Sequence, residues 1–453
     1  MDTINSREEK KNFYRQVISL VLPMAIQNLI NVGVTTADVV MLGKVGETVL
    51  SASSLAGQIQ FIMFLILFGL TSGAGVLTAQ YWGKKDIRTI EKVLGIAMRI
   101  AFFVAVFFTV MVLLFPYRIM GIFSSEVDVI AEGADYLKII ALSYVFTALT
   151  MIYLNIMRSI ERVVIATVVY LSSLICNIIL NAILIFGMFG LKPMGIKGAA
   201  LATLISRILE FAIVVFYAGF INRSVRFHFR DLFPRDKLLF RDFLYYSIPV
   251  IFNEFVWGLG TSTNTAIIGH LGKAAVAANS VTQVTRQLAM IVSFGLANAA
   301  AILIGKAIGG GSNDKAKAYA GRFFRLSIIF GIIGAAVILF VSLFAGNMLS
   351  LSEQANSYLG FMMFVMSYFA IGQSFNTTII VGICRAGGDT RFGLILDFTT
   401  LWCVSILFGA IAAFILKLPV KAVYLILMSD EIIKIPISTW RYKSMKWLNN
   451  ITR

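Results

Sequence analysis

Asp38, Asn177, Asn181 and Thr203 offer a carboxylate, two side-chain amides and a hydroxyl. Hard oxygen donors of this kind hold small cations. A carboxyl withdrawn from bulk water is also fit to carry a proton. Asn177 and Asn181 are spaced i,i+4, so on a helix they share one face. A second set comprises Glu254, Arg286, Asp397, Asp430 and Lys434, with Glu431 beside it; Asp430 precedes Lys434 by four residues. These charged residues fall within long apolar stretches, where an ionisable side chain costs several kcal/mol and marks a functional site by default. Two readings of each set stay open on residue chemistry alone. The first set holds Na⁺ or H⁺, or Asp38 caps a helix while the asparagines join helices through hydrogen bonds. The second set binds substrate or cation through Glu254, or it is a self-neutralised network that fixes helix packing.

The elements that must position these residues are membrane helices. Of the 453 residues 58% are apolar and only 14% charged, and mean hydropathy is +0.85. The apolar runs are continuous and about 20 residues long, the length that crosses a bilayer core as a helix. The expectation is an all-α membrane protein of twelve spans, at 17–40, 55–80, 93–115, 136–157, 163–187, 198–220, 243–268, 275–304, 322–345, 357–383, 391–416 and 420–440. Asp38 then lies toward the outer end of the first span. Asn177 and Asn181 reach similar depth on the fifth, and Thr203 on the sixth. Glu254 lies near the midplane of the seventh.

The net charge of +16 does not point to nucleic acid, because the basic residues sit in short loops between spans. With the N-terminus inside, 29 of the 39 Lys and Arg fall on the inner side and 8 on the outer, with Arg207 and Arg286 within the membrane. That asymmetry is the positive-inside pattern. It predicts a multi-pass protein of the inner or plasma membrane with both termini cytoplasmic. Residues 1–15 carry charges of both signs with no small-residue cleavage site after them, so a removable signal peptide is not expected. Cys176, Cys384 and Cys403 form no C-x-x-C pair, and neither a disulfide nor a metal site is expected of them. His270 is assigned to an outer loop and His228 to an inner connection, both as solvated side chains. No phosphate-binding G-x-x-x-x-G-K-[ST] run occurs, so energy must come from an ion gradient or a partner.

The two halves match at a fixed offset of 226 residues: Pro23 with Pro249, Gly43 with Gly269, Gly46 with Gly272, Gly69-Leu70 with Gly295-Leu296, and Gly83 with Gly309. Each half holds six spans, so both start on the same side, and a pseudo-two-fold axis is expected along the membrane normal. The domain expectation is a first lobe at 1–221, a basic linker at 222–242 that includes Arg235, and a second lobe at 243–453. Parallel repeats are a transporter architecture, with substrate near the midplane between them. Asp38 maps onto Asn264, so the second half lacks that carboxylate, which favours ion handling in the first.

The ordered motifs make the chain resemble the multidrug and toxic compound extrusion (MATE) family. They are Pro23 and Asp38 with Met41-Leu42-Gly43-Lys44-Val45-Gly46, then Ala79-Gln80-Tyr81-Trp82-Gly83, Gly198-Ala199-Ala200-Leu201-Ala202-Thr203, and Arg385-Ala386-Gly387-Gly388-Asp389-Thr390. The resemblance implies two six-helix lobes in a V and export of organic, often cationic, compounds in exchange for Na⁺ or H⁺. It places Asp38, Asn177, Asn181 and Thr203 at positions that bind or relay the cation. Asn181 stands where some members carry a second acid, which lowers the charge of the site. Glu254 is similar to the helix 7 acid of NorM-like members, but their helix 10 acid, four residues after a tyrosine, corresponds to Gly372 after Tyr368. A monomer is expected, with small organic substrates and the lipid bilayer as partners, no nucleic acid, no cofactor beyond the coupling ion and no enzymatic chemistry. The alternative is a flippase for a lipid-linked oligosaccharide or peptidoglycan precursor. That activity calls for basic residues lining the central cavity to hold a pyrophosphate; Arg207, Arg286 and Lys434 are the only candidates, and acids lie close in sequence to Arg207 and Lys434.

Overall fold

A computed structural model describes residues 2–232, 236–348 and 352–453; the linker residue Arg235 lies outside the described residues. The described chain is helical, with no strand among the described residues. Its α-helices in chain order are α1 Asp2–Gly43, α2 Glu47–Lys84, α3 Ile87–Leu114, α4 Pro116–Phe123, α5 Val127–Ile140, α6 Tyr144–Ser159, α7 Val164–Phe186, α8 Gly195–Phe216, α9 Lys237–Gly269, α10 Lys273–Gly309, α11 Asn313–Met348, α12 Glu353–Thr377, α13 Thr390–Asp397, α14 Leu407–Ala410, α15 Val420–Leu427 and α16 Asp430–Lys443.

Among the described residues ten helical stretches are long and apolar enough to cross a membrane. The other two expected spans differ from them for visible reasons. The 33-residue α9 is long enough, at about 1.5 Å per residue, but Ser247, Asn253, Glu254 and the run Thr261-Ser262-Thr263-Asn264-Thr265 make it polar. The expected span 420–440 is not one helix: it breaks at Met428–Ser429 into α15 and α16. The break puts Asp430 and Glu431 in the first turn of α16, where the positive end of the helix dipole favours carboxylates. The fourth span is likewise composite, with α5 and α6 joined through a 3₁₀ turn at Ala141–Ser143.

The helices show why composition identified them. On α3 the buried face carries Ala97, Ala101 and Ala105, and the exposed face carries Phe103, Phe107, Val110 and Leu114. Both faces are apolar, with small residues at the helix contacts and large ones outward, as the bilayer requires. The repeat is visible in the element boundaries. α1 and α9 end at Gly43 and Gly269, and α2 and α10 start at Glu47 and Lys273, each pair 226 residues apart. Pro23 and Pro249 each lie inside a helix.

Two compact units are present. One comprises residues 1–25, 79–85 and 248–453, and the other 26–78 and 86–247. Packing therefore does not follow the sequence repeat everywhere: the start of α1 and the end of α2 belong with the later residues. In that unit Phe13 packs tilted against Tyr319 and edge-on against Phe323, with ring centroids 4.8 and 5.2 Å away. Gln80 donates to the carbonyls of Ala386 (2.7 Å) and Asn449 (3.1 Å). In the other unit the linker is strapped to α3. Arg88 holds both carboxylate oxygens of Asp231 at 2.7 Å, the Arg226 backbone amide donates to Glu91 (2.9 Å), and Lys92 reaches Asp236 (3.3 Å).

Candidate functional site

In the unit of residues 26–78 and 86–247, three helices bring the first set together. Asp38 comes from α1, Asn177 and Asn181 from α7, and Thr203 from α8. The Asn181 side-chain amide donates to Asp38 Oδ1 at 2.5 Å and to Asn177 Oδ1 at 3.1 Å, and the Asn177 amide donates to Thr203 Oγ1 at 3.3 Å. The asparagines and the threonine are buried, and Asp38 is half-buried. All four expected residues thus form one hydrogen-bonded chain. The i,i+4 spacing on α7 works as expected, since one asparagine hands the chain to the next. Asp38, Asn177 and Thr203 line a cavity of about 390 Å³ with Thr35, Gln60, Phe61, Phe64, Tyr136, Ser173, Ser206 and Arg207. Asn181 Oδ1 is buried with no hydrogen-bond partner. A buried acceptor left open is costly, and here it stands beside a carboxylate.

Arg207 is the cation on this wall, and Glu210 one helical turn on pairs with it at 2.6 Å. Glu210 is buried. Sequence reading missed both Glu210 and Tyr136 as part of this site. The i,i+3 spacing of Arg207 and Glu210 was available as a signal.

The second set lies in the other unit and forms a longer network than expected. The Arg385 guanidinium donates to Glu254 Oε1 at 3.0 Å and to the Asn253 side-chain Oδ1 at 2.8 Å. The Asn253 amide donates to Asp397 Oδ2 at 2.6 Å. Lys434 then meets Asp397 and Asp430 at 2.9 Å and Glu431 at 3.2 Å. The ammonium has three N–H donors, so the three carboxylates use them all. Asn376 closes the end of the network by donating to both the backbone carbonyl and the carboxylate of Glu431, at 2.7 and 2.8 Å. By formal count four acids face two bases here. Arg286 stands apart from the carboxylates, held by Gln283 (2.9 Å) and Gln373 (3.0 Å).

Two π-helical stretches border this network, and the first precedes one of its residues. Thr378–Cys384 leads into Arg385, and Phe398–Ile406 follows Asp397. Such segments rotate the side chains after them relative to a regular helix and recur at functional sites. Nothing in the periodicity announced them, and Arg385 was read only as part of a loop motif. Gly372, where an acid is missing relative to NorM-like members, packs against Glu431: a Cβ on residue 372 would stand 3.2 Å from the Glu431 Cβ. A carboxylate therefore reaches this neighbourhood from α16 instead of α12. Asn264, the repeat partner of Asp38, is buried, and among the described residues its Oδ1 has no hydrogen-bond partner.

Among the described residues, one cluster of His, Asp and Glu has ligand atoms close enough for a metal: Glu91, His228 and Asp231. Arg88 already occupies both oxygens of Asp231 and one of Glu91, so an ion would have to displace a guanidinium. His228, expected as a solvated side chain, is half-exposed and lies 3.5 Å from Asp231. His270 is exposed, with Nδ1 2.8 Å from the Ala266 carbonyl. Cys176, Cys384 and Cys403 are free.

The family model MatE matches residues 23–183 and again 249–411. The chain belongs to the MatE family. The two matches fall on the two halves of the repeat and span most of the chain. The MatE chain is 24% identical over 430 residues to the probable multidrug resistance protein YoeA of Bacillus subtilis, covering 93% of this chain and 91% of the relative. It is 26% identical to the probable multidrug resistance protein NorM of Rhizobium meliloti, covering 86% and 84%. Its fold is that of solved MATE transporters. A Vibrio cholerae MATE transporter aligns with a TM-score of 0.87 at 16% identity, over 97% of this chain and 99% of the other. A MOP superfamily transporter from Pyrococcus furiosus, described as having a binding pocket of reversed polarity, aligns at 0.85 and 18%, over 95% and 96%. MatE proteins are multi-pass membrane transporters of the multidrug efflux type, and this chain is one of them by family.

Proposed function

We propose that this protein is a secondary antiporter that exports organic, often cationic, compounds in exchange for H⁺ or Na⁺ by alternating access. Asp38 is the group that is loaded and emptied. The observation that carries this reading is the bond from Asn181 to Asp38 at the wall of the 390 Å³ cavity, in a chain of a multidrug efflux family.

Asp38 accepts from Asn181 only while its carboxylate oxygen is free to do so. A proton or Na⁺ that binds at Oδ1 competes with that amide. The displaced Asn181 amide then has only Asn177 as acceptor, and the open Asn181 Oδ1 is available to the incoming cation. Loading therefore changes how α1 is tied to α7. An ion that stabilises one tie and a substrate that stabilises the other are coupled, because each shifts the same equilibrium. The aromatic and polar lining, with Phe61, Phe64 and Tyr136 beside Gln60 and Asp38, suits a flat organic cation. The protein sits in the cytoplasmic membrane with both termini inside and acts as a monomer without a cofactor.

The flippase alternative has weaker support. The cation lining this cavity, Arg207, is paired with Glu210, and Lys434 is engaged by three carboxylates. Neither is open to a pyrophosphate, which leaves only Arg286 of the three candidates, held by the neutral Gln283 and Gln373.

The test is dye efflux from proteoliposomes with Na⁺ and pH gradients imposed separately. The parent protein exports against one of the gradients, and Asp38→Asn loses that coupling while its thermal melt stays close to the parent. Gradient-driven export by Asp38→Asn at the parent rate would refute the assignment.

A further inference from the structure

The unit of residues 26–78 and 86–247 holds a second cavity, of about 510 Å³, away from Asp38. Its walls come from α3, α6 and α8, and the linker residues Phe227 and Leu232 close one end. That volume lies within the roughly 300–1,000 Å³ of ligand sites. The lining is apolar apart from two residues. The Tyr153 hydroxyl already accepts from Asn222 at 2.9 Å, and the other residue is Arg99. Phe102, Phe103 and Val215 line the cavity yet are exposed. The opening therefore faces the lipid-exposed surface of α3 and α8.

Charge and depth narrow the occupant. Arg99 lies 12 residues beyond the start of α3, roughly 18 Å along the helix, and its guanidinium lies toward the linker side, over the Phe240 ring near the start of α9. Arg223, Arg226 and Arg230 of that linker are exposed. An apolar pocket with an arginine at the level of the basic side suits a molecule with a long hydrocarbon tail and an anionic head. A bilayer supplies such a molecule, and basic pockets between helices on this side are where anionic headgroups dock. We propose that this cavity binds an acyl chain of an anionic phospholipid from the leaflet on the linker side, with the headgroup phosphate held by Arg99.

The site is separate from the Asp38 chain of hydrogen bonds and does not depend on which ion drives transport. Arg99 also lies over the Phe240 ring at 5.2 Å, so its variants need a control for that contact.

The five tryptophans, Trp82, Trp257, Trp402, Trp440 and Trp447, all belong to the other unit. A reporter introduced by Phe102→Trp therefore reads this cavity against a constant background. The full-length protein is placed in phosphatidylcholine vesicles containing a minor fraction of chain-brominated phosphatidylglycerol or chain-brominated phosphatidylcholine. Brominated phosphatidylglycerol quenches the reporter more. Arg99→Gln reduces that preference about fivefold, the equivalent of ~1 kcal/mol for one cation at a membrane surface. Arg99→Lys retains it, and so does Phe240→Leu, which removes only the ring contact. Ala218→Leu fills the cavity and lowers quenching by both lipids. Equal quenching by the two lipids in the parent, or a preference that survives Arg99→Gln, would overturn the proposal.

Discussion

Gly83 and Gly309 pack reciprocally against each other's helices. A Cβ on Gly83 would overlap the carbonyl of Lys306, and a Cβ on Gly309 would overlap the carbonyl of Gln80. Residue 80 maps onto 306 at the repeat offset, as 83 maps onto 309. The end of α2 and the end of α10 thus meet through a contact that repeats itself within one compact unit. Two helices approach this closely only where both lack side chains.

Alanine at either glycine places a methyl group into a backbone carbonyl, which cannot rotate away. Gly83→Ala and Gly309→Ala should each cost about 1–3 kcal/mol, the range for overpacking a tight contact. The double variant should cost less than the sum, because the first substitution already separates the helices. Thermal melts of the three purified variants in one detergent check this; strict additivity would mean that the two contacts are independent.

Lys434 is the only cation in direct contact with Asp397, Asp430 and Glu431 among the described residues. Removing it leaves the buried Asp430 and Glu431 and the partly buried Asp397 with no counter-charge in contact. Breaking a buried pair from one side typically costs about 3–5 kcal/mol, so Lys434→Met should be poorly folded. Replacing an acid together with the lysine, as in Asp397→Asn with Lys434→Met, should recover part of the loss. Yield and melting temperature after membrane extraction report the outcome. A Lys434→Met protein as stable as the parent would show that the acids are neutralised some other way.

The sequence made some of this legible and left some of it hidden. Spans were readable because a bilayer demands about 20 apolar residues in one run, and the repeat carried the helix boundaries across 226 residues. The Asp38 cluster was readable because matched depth on separate spans needs only the rise per residue. The Arg385 link was not. It depends on π-helical turns and on the break before α16, and neither leaves a periodic trace. Gly372 was read as a missing acid, yet Glu431 fills that neighbourhood from a helix remote in sequence. Long-range pairing of this kind is invisible to spacing. The network's Asn253 is similarly ordinary in sequence and acquires its place only from the partners at its two ends.

The linker predicts a local pH response. Asp236 accepts from the Leu239 backbone amide at 3.0 Å and meets Lys92 at 3.3 Å, and these hold its carboxyl below the ordinary 3.8. A lowered carboxyl contributes stability above its ordinary value and loses it as pH falls through the folded one. Protection of the α9 start should therefore be constant around neutral pH and weaken only in strong acid. Asp236→Asn should weaken it at neutral pH. Hydrogen exchange of the amides at 237–241 measures both effects, and a change in protection around neutrality would count against the Asp236 assignment.

Asn181 decides how much charge faces the coupling ion. With Asn181 as an amide, Asp38 is the single acid of the hydrogen-bonded chain. Asn181→Asp puts a second carboxylate where the amide now stands, 2.5 Å from Asp38. The two acids repel unless a cation lies between them. One extra charge at about 4 Å is worth up to ~4 kcal/mol at an effective dielectric near 20. Na⁺ affinity should rise by at least about tenfold, and the variant should bind Na⁺ even if the parent is driven by protons. Titration calorimetry with Na⁺ against K⁺ reads the affinity, and efflux under separate Na⁺ and pH gradients reads the coupling. If Asn181→Asp neither gains Na⁺ affinity nor changes its driving ion, then the α1–α7 tie is structural and the coupling site lies elsewhere in the chain.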